Sequence, residues 1–213
     1  MRLAQAAQRM LEDRLIPFWA GLRDDDNGGF YGWMDFDLNV DRHAVKGCIL
    51  NSRILWFFSE AAMATGSAVA RDCADHAWRF LRDCCLDREH CCLYWSVTFD
   101  GAPEDTTKHT YNQAFGIYAL ASYYRLTGDG EALEAAEALF DLIERRCTDD
   151  QGYLESFTRD WRPVENDKLS ENGVLAERTM NTLLHVFEGY SGLYLAAPDE
   201  RVRAALLCLL DIY

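Results

Sequence analysis

The sequence predicts an all-α fold of stacked helix pairs with short β-hairpins on one rim. Three observations predict it. Apolar residues recur at three and four positions through most of the 213 residues. The gaps between these periodic segments alternate between a few residues and a long stretch. Three stretches of similar make-up also return at near-regular intervals, the mark of helix pairs that bury their apolar faces against neighbouring pairs. At 49% hydrophobic and 13% aromatic, the chain is long enough to bury a sizeable core as one domain over residues 1–213.

The periodic segments are roughly 1–16, 46–65, 67–86, 109–127, 129–146, 177–196 and 198–213, which makes seven helices. The first, within MRLAQAAQRMLEDRLIPFW, spreads its charges among apolar positions and so fits neither a signal peptide nor a membrane span. NGGFYGWMDFDLNVD, REHCCLYWSVTFDG and DDQGYLESFTRDW precede the second, fourth and sixth helices; each joins turn residues to alternating aromatics, the pattern of a hairpin. Within pairs, only ATGS, LTGD and AAPD intervene. EALEAAEALFDLIERR reads as an outer helix with a solvated acidic face.

Stretches opening at Asn51, Asn112 and Asn181 share an apolar body and a tight turn at the far end, and lie 61 and 69 residues apart. Such a repeat closes as an open solenoid or as a ring of inner and outer helices. The second, fourth and sixth helices are the more apolar members of their pairs and form the inner layer. Every hairpin feeds the start of an inner helix, so the hairpins gather on one rim, where helix N-termini offer unpaired N–H groups. This places Arg53, from the unusual run AVKGCILNSRILWFF, near Tyr111, Asn112, Asn181 and His185 around a shared polar cavity. Asn181 and His185 are four apart and share a helix face.

A formal charge of −14 and a pI near 4.7 argue against nucleic acid or an anionic membrane as the main partner. Cys48, Cys73 and Cys208 sit singly in helical patterns as small hydrophobes, which suits a cytoplasmic protein. CCLDREHCC gathers four thiols around His90, but adjacent pairs lack the spacing of a zinc site, so structural cysteines are expected and no metal.

Arg, Tyr, Asn and His among aromatic rings suit a sugar, whose C–H faces pack on rings while fixed donors and acceptors read hydroxyls. Histidine suits proton transfer near neutral pH, and Arg and Asn donors suit the oxyanion formed when a proton leaves a carbon beside a carbonyl. Each residue also has a plain structural reading. Arg53 can pair with Asp35 or Glu177, the three asparagines can cap helices, His185 can be a hydrogen-bonded packing residue, Tyr111 can pack its ring, and His109 can be a loop residue. Asp35, Asp37, Glu177 and Glu188 are available to a glycoside hydrolase, but no spacing pairs them. A helical-repeat binding scaffold without chemistry is the alternative from another class.

IPFWAGLRDDDNGGFYGWMDFDLNVDRHAVKGCILNSRILWFFSEA, KHTYNQAFGIYALASYYRLTGD and ENGVLAERTMNTLLHVFEGYSGLYL resemble cellobiose 2-epimerases of the N-acylglucosamine 2-epimerase superfamily. The resemblance implies an (α/α)6 barrel and cofactor-free epimerisation at C2 of the reducing-end glucose of cellobiose or lactose through a cis-enediolate. It implies that Arg53, Tyr111, Asn181 and His185 hold the sugar's oxygens and assist the enediolate. N-acylglucosamine 2-epimerases and mannose isomerases share that barrel and are the alternatives within the class. The family's two principal acid/base histidines lie in its C-terminal half. Seven helices of a ring of twelve, ending mid-pattern in RVRAALLCLLDIY, lead us to expect a truncated catalytic domain, about half of the ring, that is inactive alone.

Overall fold

The computed structural model describes residues 2–166, 168 and 176–212; ENGVL within the third resembling stretch, and both chain ends, lie outside the described residues. α1 (Arg2–Met10), a π-helical turn (Leu11–Leu15) and α2 (Ile16–Ala20) run on as one rod, longer than expected. Pro17, which lacks an N–H and whose ring crowds the carbonyl four residues back, accounts for the π turn before it. β1 (Trp33–Met34), β2 (Val40–Asp41) and β3 (Lys46–Gly47) lead into α3 (Cys48–Thr65) and α4 (Ala68–Phe80). β4 (Ser96–Val97), β5 (Pro103–Asp105) and β6 (Lys108–His109) lead into α5 (Thr110–Thr127) and α6 (Gly130–Leu142). β7 (Thr148–Asp149), β8 (Gly152–Tyr153) and β9 (Ser156–Phe157) precede α7 (Met180–Ala196) and α8 (Glu200–Ile212). α4 and α6 each end in a π turn, Leu81–Cys85 and Ile143–Cys147. Among the described residues this makes seven helical rods, arranged as part of an (α/α)6 ring that does not close.

The short turns work through their chemistry. Gly66 and Gly128 take left-handed φ angles of +70° and +73° and return their N–H groups to Ala62 and Tyr124, ending α3 and α5. The next residue starts the outer helix: Ser67 accepts from the Ala70 N–H, and Asp129 from the Glu131 and Ala132 N–H groups. α5 packs between α3 and α7, with Ala114, Ile117, Ala119, Leu120 and Ala121 all buried. Gly189 permits the α5–α7 approach, since a Cβ there would stand 2.7 Å from the Ala114 carbonyl oxygen.

Each inner helix is anchored by a cation two residues before its start. Lys46 Nζ donates to Asp24 at 2.7 Å and to the Gly28 carbonyl, with both side chains at most 1% exposed. Lys108 Nζ donates to Asp87 at 3.1 Å and to the Cys91 and Cys92 carbonyls. Arg178 pairs with Asp149 at the root of α7. Burial alone would raise the Asp87 carboxyl, but hydrogen bonds from Arg159, the His90 N–H and Lys108 outweigh it and hold it well below the usual carboxylate range. Lys108 loses more to burial than Asp87 returns, so its pKa is lowered. Asp24 is likewise lowered against burial by Lys46 and the Asn27 N–H.

Adjacent hairpins are stitched together on the rim. β3 pairs antiparallel with β4, and β6 with β9, so the strand that enters one inner helix completes the sheet of the following hairpin. Exposed apolar side chains stand at both ends of the row: Leu3, Met10, Leu15 and Phe18 on the first rod, and Leu195, Leu207, Leu210 and Ile212 on α7 and α8.

Lys46→Met, which strands the buried Asp24 carboxylate, is expected to destabilise the chain by about 3–5 kcal/mol in urea unfolding. Gly189→Ala should cost about 1–3 kcal/mol through forced separation of α5 and α7. Because the folded-state values of Asp24 and Asp87 lie below the unfolded value of about 4, their stabilisation is complete above that pH and is lost as pH falls through the folded values. The urea midpoint should therefore fall below about pH 4, and Asp87→Asn should flatten that acid limb.

Candidate active site

The first turns of α3, α5 and α7 stand side by side and present one wall. Arg53 is solvent-exposed rather than buried, and its guanidinium lies over the Phe115 ring, 5.2 Å from the centroid. A cation on an aromatic face at an exposed site contributes about 0.5–1 kcal/mol. Among the described residues Arg53 makes no ion pair, so the expected alternatives fail: Asp35 is occupied in tying the 35–39 turn to Asn39, and Glu177 lies by Arg178.

His185 meets the same ring. Its imidazole centroid lies 4.5 Å from Phe115 and 4.9 Å from Tyr111, which in turn contacts Phe115 edge-on at 5.1 Å. His185 Nδ1 is 2.6 Å from Glu188 Oε2. Assigned from that partner, the neutral tautomer carries its proton on Nδ1 and leaves the Nε2 lone pair for a ligand. Trp56 and Tyr118 stack at 5.2 Å beside these groups. The Tyr118 hydroxyl is pushed up by burial, then by the Glu188 and Glu60 charges.

Arg53, Trp56, Phe115, Tyr118, His185 and Glu188 together line a basin of about 190 Å3. Counted from the anchoring cations Lys46, Lys108 and Arg178, these residues sit at two shared steps. Arg53, Phe115 and His185 are each the seventh residue on, and Trp56, Tyr118 and Glu188 the tenth. Two turns of helix return a side chain to the same face, so equal anchoring gives equal placement. Larger clefts of about 390 and 330 Å3 are lined by other residues, near Glu155 and Cys91 respectively.

None of the three asparagines caps its helix. Asn51 and Asn112 are fully buried and are not caps, since α3 and α5 start from Gly47 and His109. Asn51 accepts from the Phe30 N–H at 3.0 Å and donates to the Gly47 carbonyl; Asn112 donates to the Tyr94 carbonyl at 2.7 Å. Both tie inner helices to hairpins. Asn181 is exposed beside the start of α7, where Thr179, not Asn181, makes the cap. His109 is no loop residue: it is fully buried against Trp95 at 4.6 Å. Sequence reasoning gathered Arg53, Tyr111 and His185 but did not single out Trp56, Phe115 and Tyr118. Their spacing of three or four from the polar residues was the available signal. Among the described residues no three His, Cys, Asp or Glu side chains converge as metal ligands, and no helix is long and apolar enough to cross a membrane.

Residues 29–178 match the family model for N-acylglucosamine 2-epimerase (GlcNAc 2-epimerase). The chain is 56% identical over 189 residues to a cellobiose 2-epimerase of Eubacterium cellulosolvens, covering 89% of this chain and 47% of that protein. It is 53% identical over 192 residues to one from Ruminococcus albus, covering 90% and 49%. The solved structure of cellobiose 2-epimerase from Bacillus thermoamylovorans superposes with a TM-score of 0.95 at 43% identity, covering 100% of this chain and 56% of that one. The chain thus spans about half the length of the curated relatives it matches. With its matched residues spread over all three hairpins and the first two inner helices, the chain belongs to the N-acylglucosamine 2-epimerase family.

Proposed function

We propose that this chain forms the sugar-holding wall of a disaccharide 2-epimerase that converts the reducing-end glucose of β-1,4-linked disaccharides such as cellobiose and lactose to mannose. The observation that carries the reading is the convergence of Arg53, Phe115 and His185 from three successive inner helices on one aromatic basin, with Tyr111 edge-on to the Phe115 and His185 rings. The names of relatives up to 56% identical support the disaccharide branch.

The chemistry follows from the charge that must be carried. Opening the sugar ring exposes a C1 carbonyl, and loss of the C2 proton puts negative charge on O1 of a cis-enediolate, which a proton shift between the oxygens shares with O2. A planar guanidinium at Arg53 stabilises that charge where it develops. His185, oriented by Glu188, offers Nε2 to a sugar hydroxyl, so that proton movement between the oxygens needs no solvent. Tyr111 supplies a hydroxyl donor, Asn181 an amide to the rim, and the Trp56–Tyr118 stack a face for the sugar's C–H surface. The reaction moves protons only and is redox-neutral. We assign the C2 proton steps to histidines outside these 213 residues, in keeping with the family's C-terminal half, and place the protein in the cytoplasm on the strength of its eight free cysteines.

The purified chain is expected to give no glucosyl-mannose from cellobiose, whereas the chain joined to the second half of the Ruminococcus albus relative should give it. Robust conversion by the chain alone would overturn the assignment of the proton steps. In the joined protein His185→Ala should lower kcat by about 10²-fold or more, measured by product chromatography; an unchanged rate would reduce His185 to packing. Conversion of mannose to fructose, with cellobiose untouched, would replace the disaccharide reading by a monosaccharide one.

A further inference from the structure

The loop before β4 repeats the loop before β1 with one substitution of chemistry. In the first unit Gly28 and Gly29 both take left-handed φ, +80° and +66°, and Lys46 holds the Gly28 carbonyl. In the second unit the same two places, sixty-three residues on, hold Cys91 and Cys92, with φ of +69° and +70°. Non-glycine residues reach that region at a cost of about 1–2 kcal/mol each, so the thiols sit where glycine would be the easier choice. Lys108, donating to both cysteine carbonyls, and the Asp87 N–H, donating to the Cys92 carbonyl, hold the conformation.

The loop brings the two Sγ atoms to 2.8 Å. Both cysteines line a surface cleft of about 330 Å3 with Leu86, Arg88, Glu134 and Leu139, Cys91 part-exposed and Cys92 only 2% exposed. The hydrogen bond from Cys92, and after it the Lys108 charge, lower the Cys91 thiol to about 7 against burial; burial pushes Cys92 up. One sulfur is therefore an accessible thiolate near neutral pH, and the other a protonated neighbour behind it.

We propose that Cys91 and Cys92 form a reversible redox site that takes small disulfides, with Cys91 attacking and Cys92 resolving. The Cys91 thiolate attacks one sulfur of R–S–S–R, whose S–S bond breaks and releases one thiolate. Cys92 then gives up its proton and attacks the Cys91 sulfur of the mixed disulfide, expelling the second thiolate. The Cys91 thiolate and the Cys92 thiol together lose two electrons, one small disulfide is reduced to a thiolate and a thiol, and the Cys92 proton passes to the leaving sulfur. Ring closure moves the peptide between the cysteines, whose carbonyls Lys108 holds, so oxidation loosens the Lys108–Asp87 anchor at the root of α5.

The test uses the full chain carrying Cys208→Ser, which removes the exposed lone thiol, treated with oxidised glutathione and followed by intact mass and peptide mapping. Expected are a transient glutathione adduct on Cys91, then an adduct-free chain lighter by two hydrogens with residues 91 and 92 linked, and a lower melting temperature that a dithiol reductant restores. Cys92→Ala should arrest the reaction at the Cys91 adduct. Replacing both cysteines by glycine, which suits both φ angles, should give a folded chain that neither binds nor loses hydrogens at this loop. A Cys91 adduct that persists with Cys92 present, failure of Cys91 to react, or the same two-hydrogen loss in the double-glycine chain would each overturn the proposal.

Discussion

Everything on the rim hangs from a charge that has nowhere else to go. Lys46 and Lys108 are buried to their tips, and a buried ammonium is tolerable only when an anion and further acceptors surround it. Asp24 and Asp87 supply the anion, and the carbonyls of the intervening loops supply the rest. Because each aspartate leaves an outer helix and each cation enters an inner one, the pair fixes the height at which the chain turns inward. In the third unit Arg178 and Asp149 do the same work nearer to solvent, where the wider guanidinium fork reaches its partner from a less buried position.

From that fixed height, helix geometry sets the wall. Seven residues beyond each cation the three inner helices present Arg53, Phe115 and His185, and ten beyond they present Trp56, Tyr118 and Glu188. The middle helix contributes the Phe115 and Tyr118 rings and, from its first turn, Tyr111, while α3 and α7 on either side contribute Arg53, His185 and Glu188. α5 thus acts as a partition: apolar and tightly packed behind, and in front an aromatic floor that keeps Arg53 and His185 facing the same volume. Gly189 sets how closely α7 approaches that floor.

Much of this was legible in the sequence, and the failures have physical causes. Periodicity located seven helices because their buried stripes are long, and the residues Ser67 and Asp129 that end the short turns prove to be the caps of the outer helices. Arg53, Tyr111 and His185 were gathered because each lies in the first turns of an inner helix. The asparagine repeat misled because it drifts: Asn51, Asn112 and Asn181 lie five, four and three residues beyond their cations. In the true register it is Gln113, not Asn112, that matches Asn51, and Gln113 bonds the Leu93 N–H as Asn51 bonds that of Phe30. The cations themselves escaped notice since each lies twenty or more residues from its aspartate, with a hairpin between, and no local pattern reports such a pairing.

The stitching of the hairpins sets where this architecture can be cut. Lys46 and Gly47 face Val97 and Ser96, while Lys108 and His109 face Phe157 and Ser156, so in both seams the lysine meets the second residue of its partner strand. A repeat excised from one cation to the next would leave an entering strand whose pairing edge is still met in register. A repeat excised at its loops, or at the asparagines, would shift every side chain on the inner wall. Duplication, deletion or grafting of modules in this scaffold is therefore governed by the lysine positions, and shuffling that respects them alters the number of walls without altering what each wall presents.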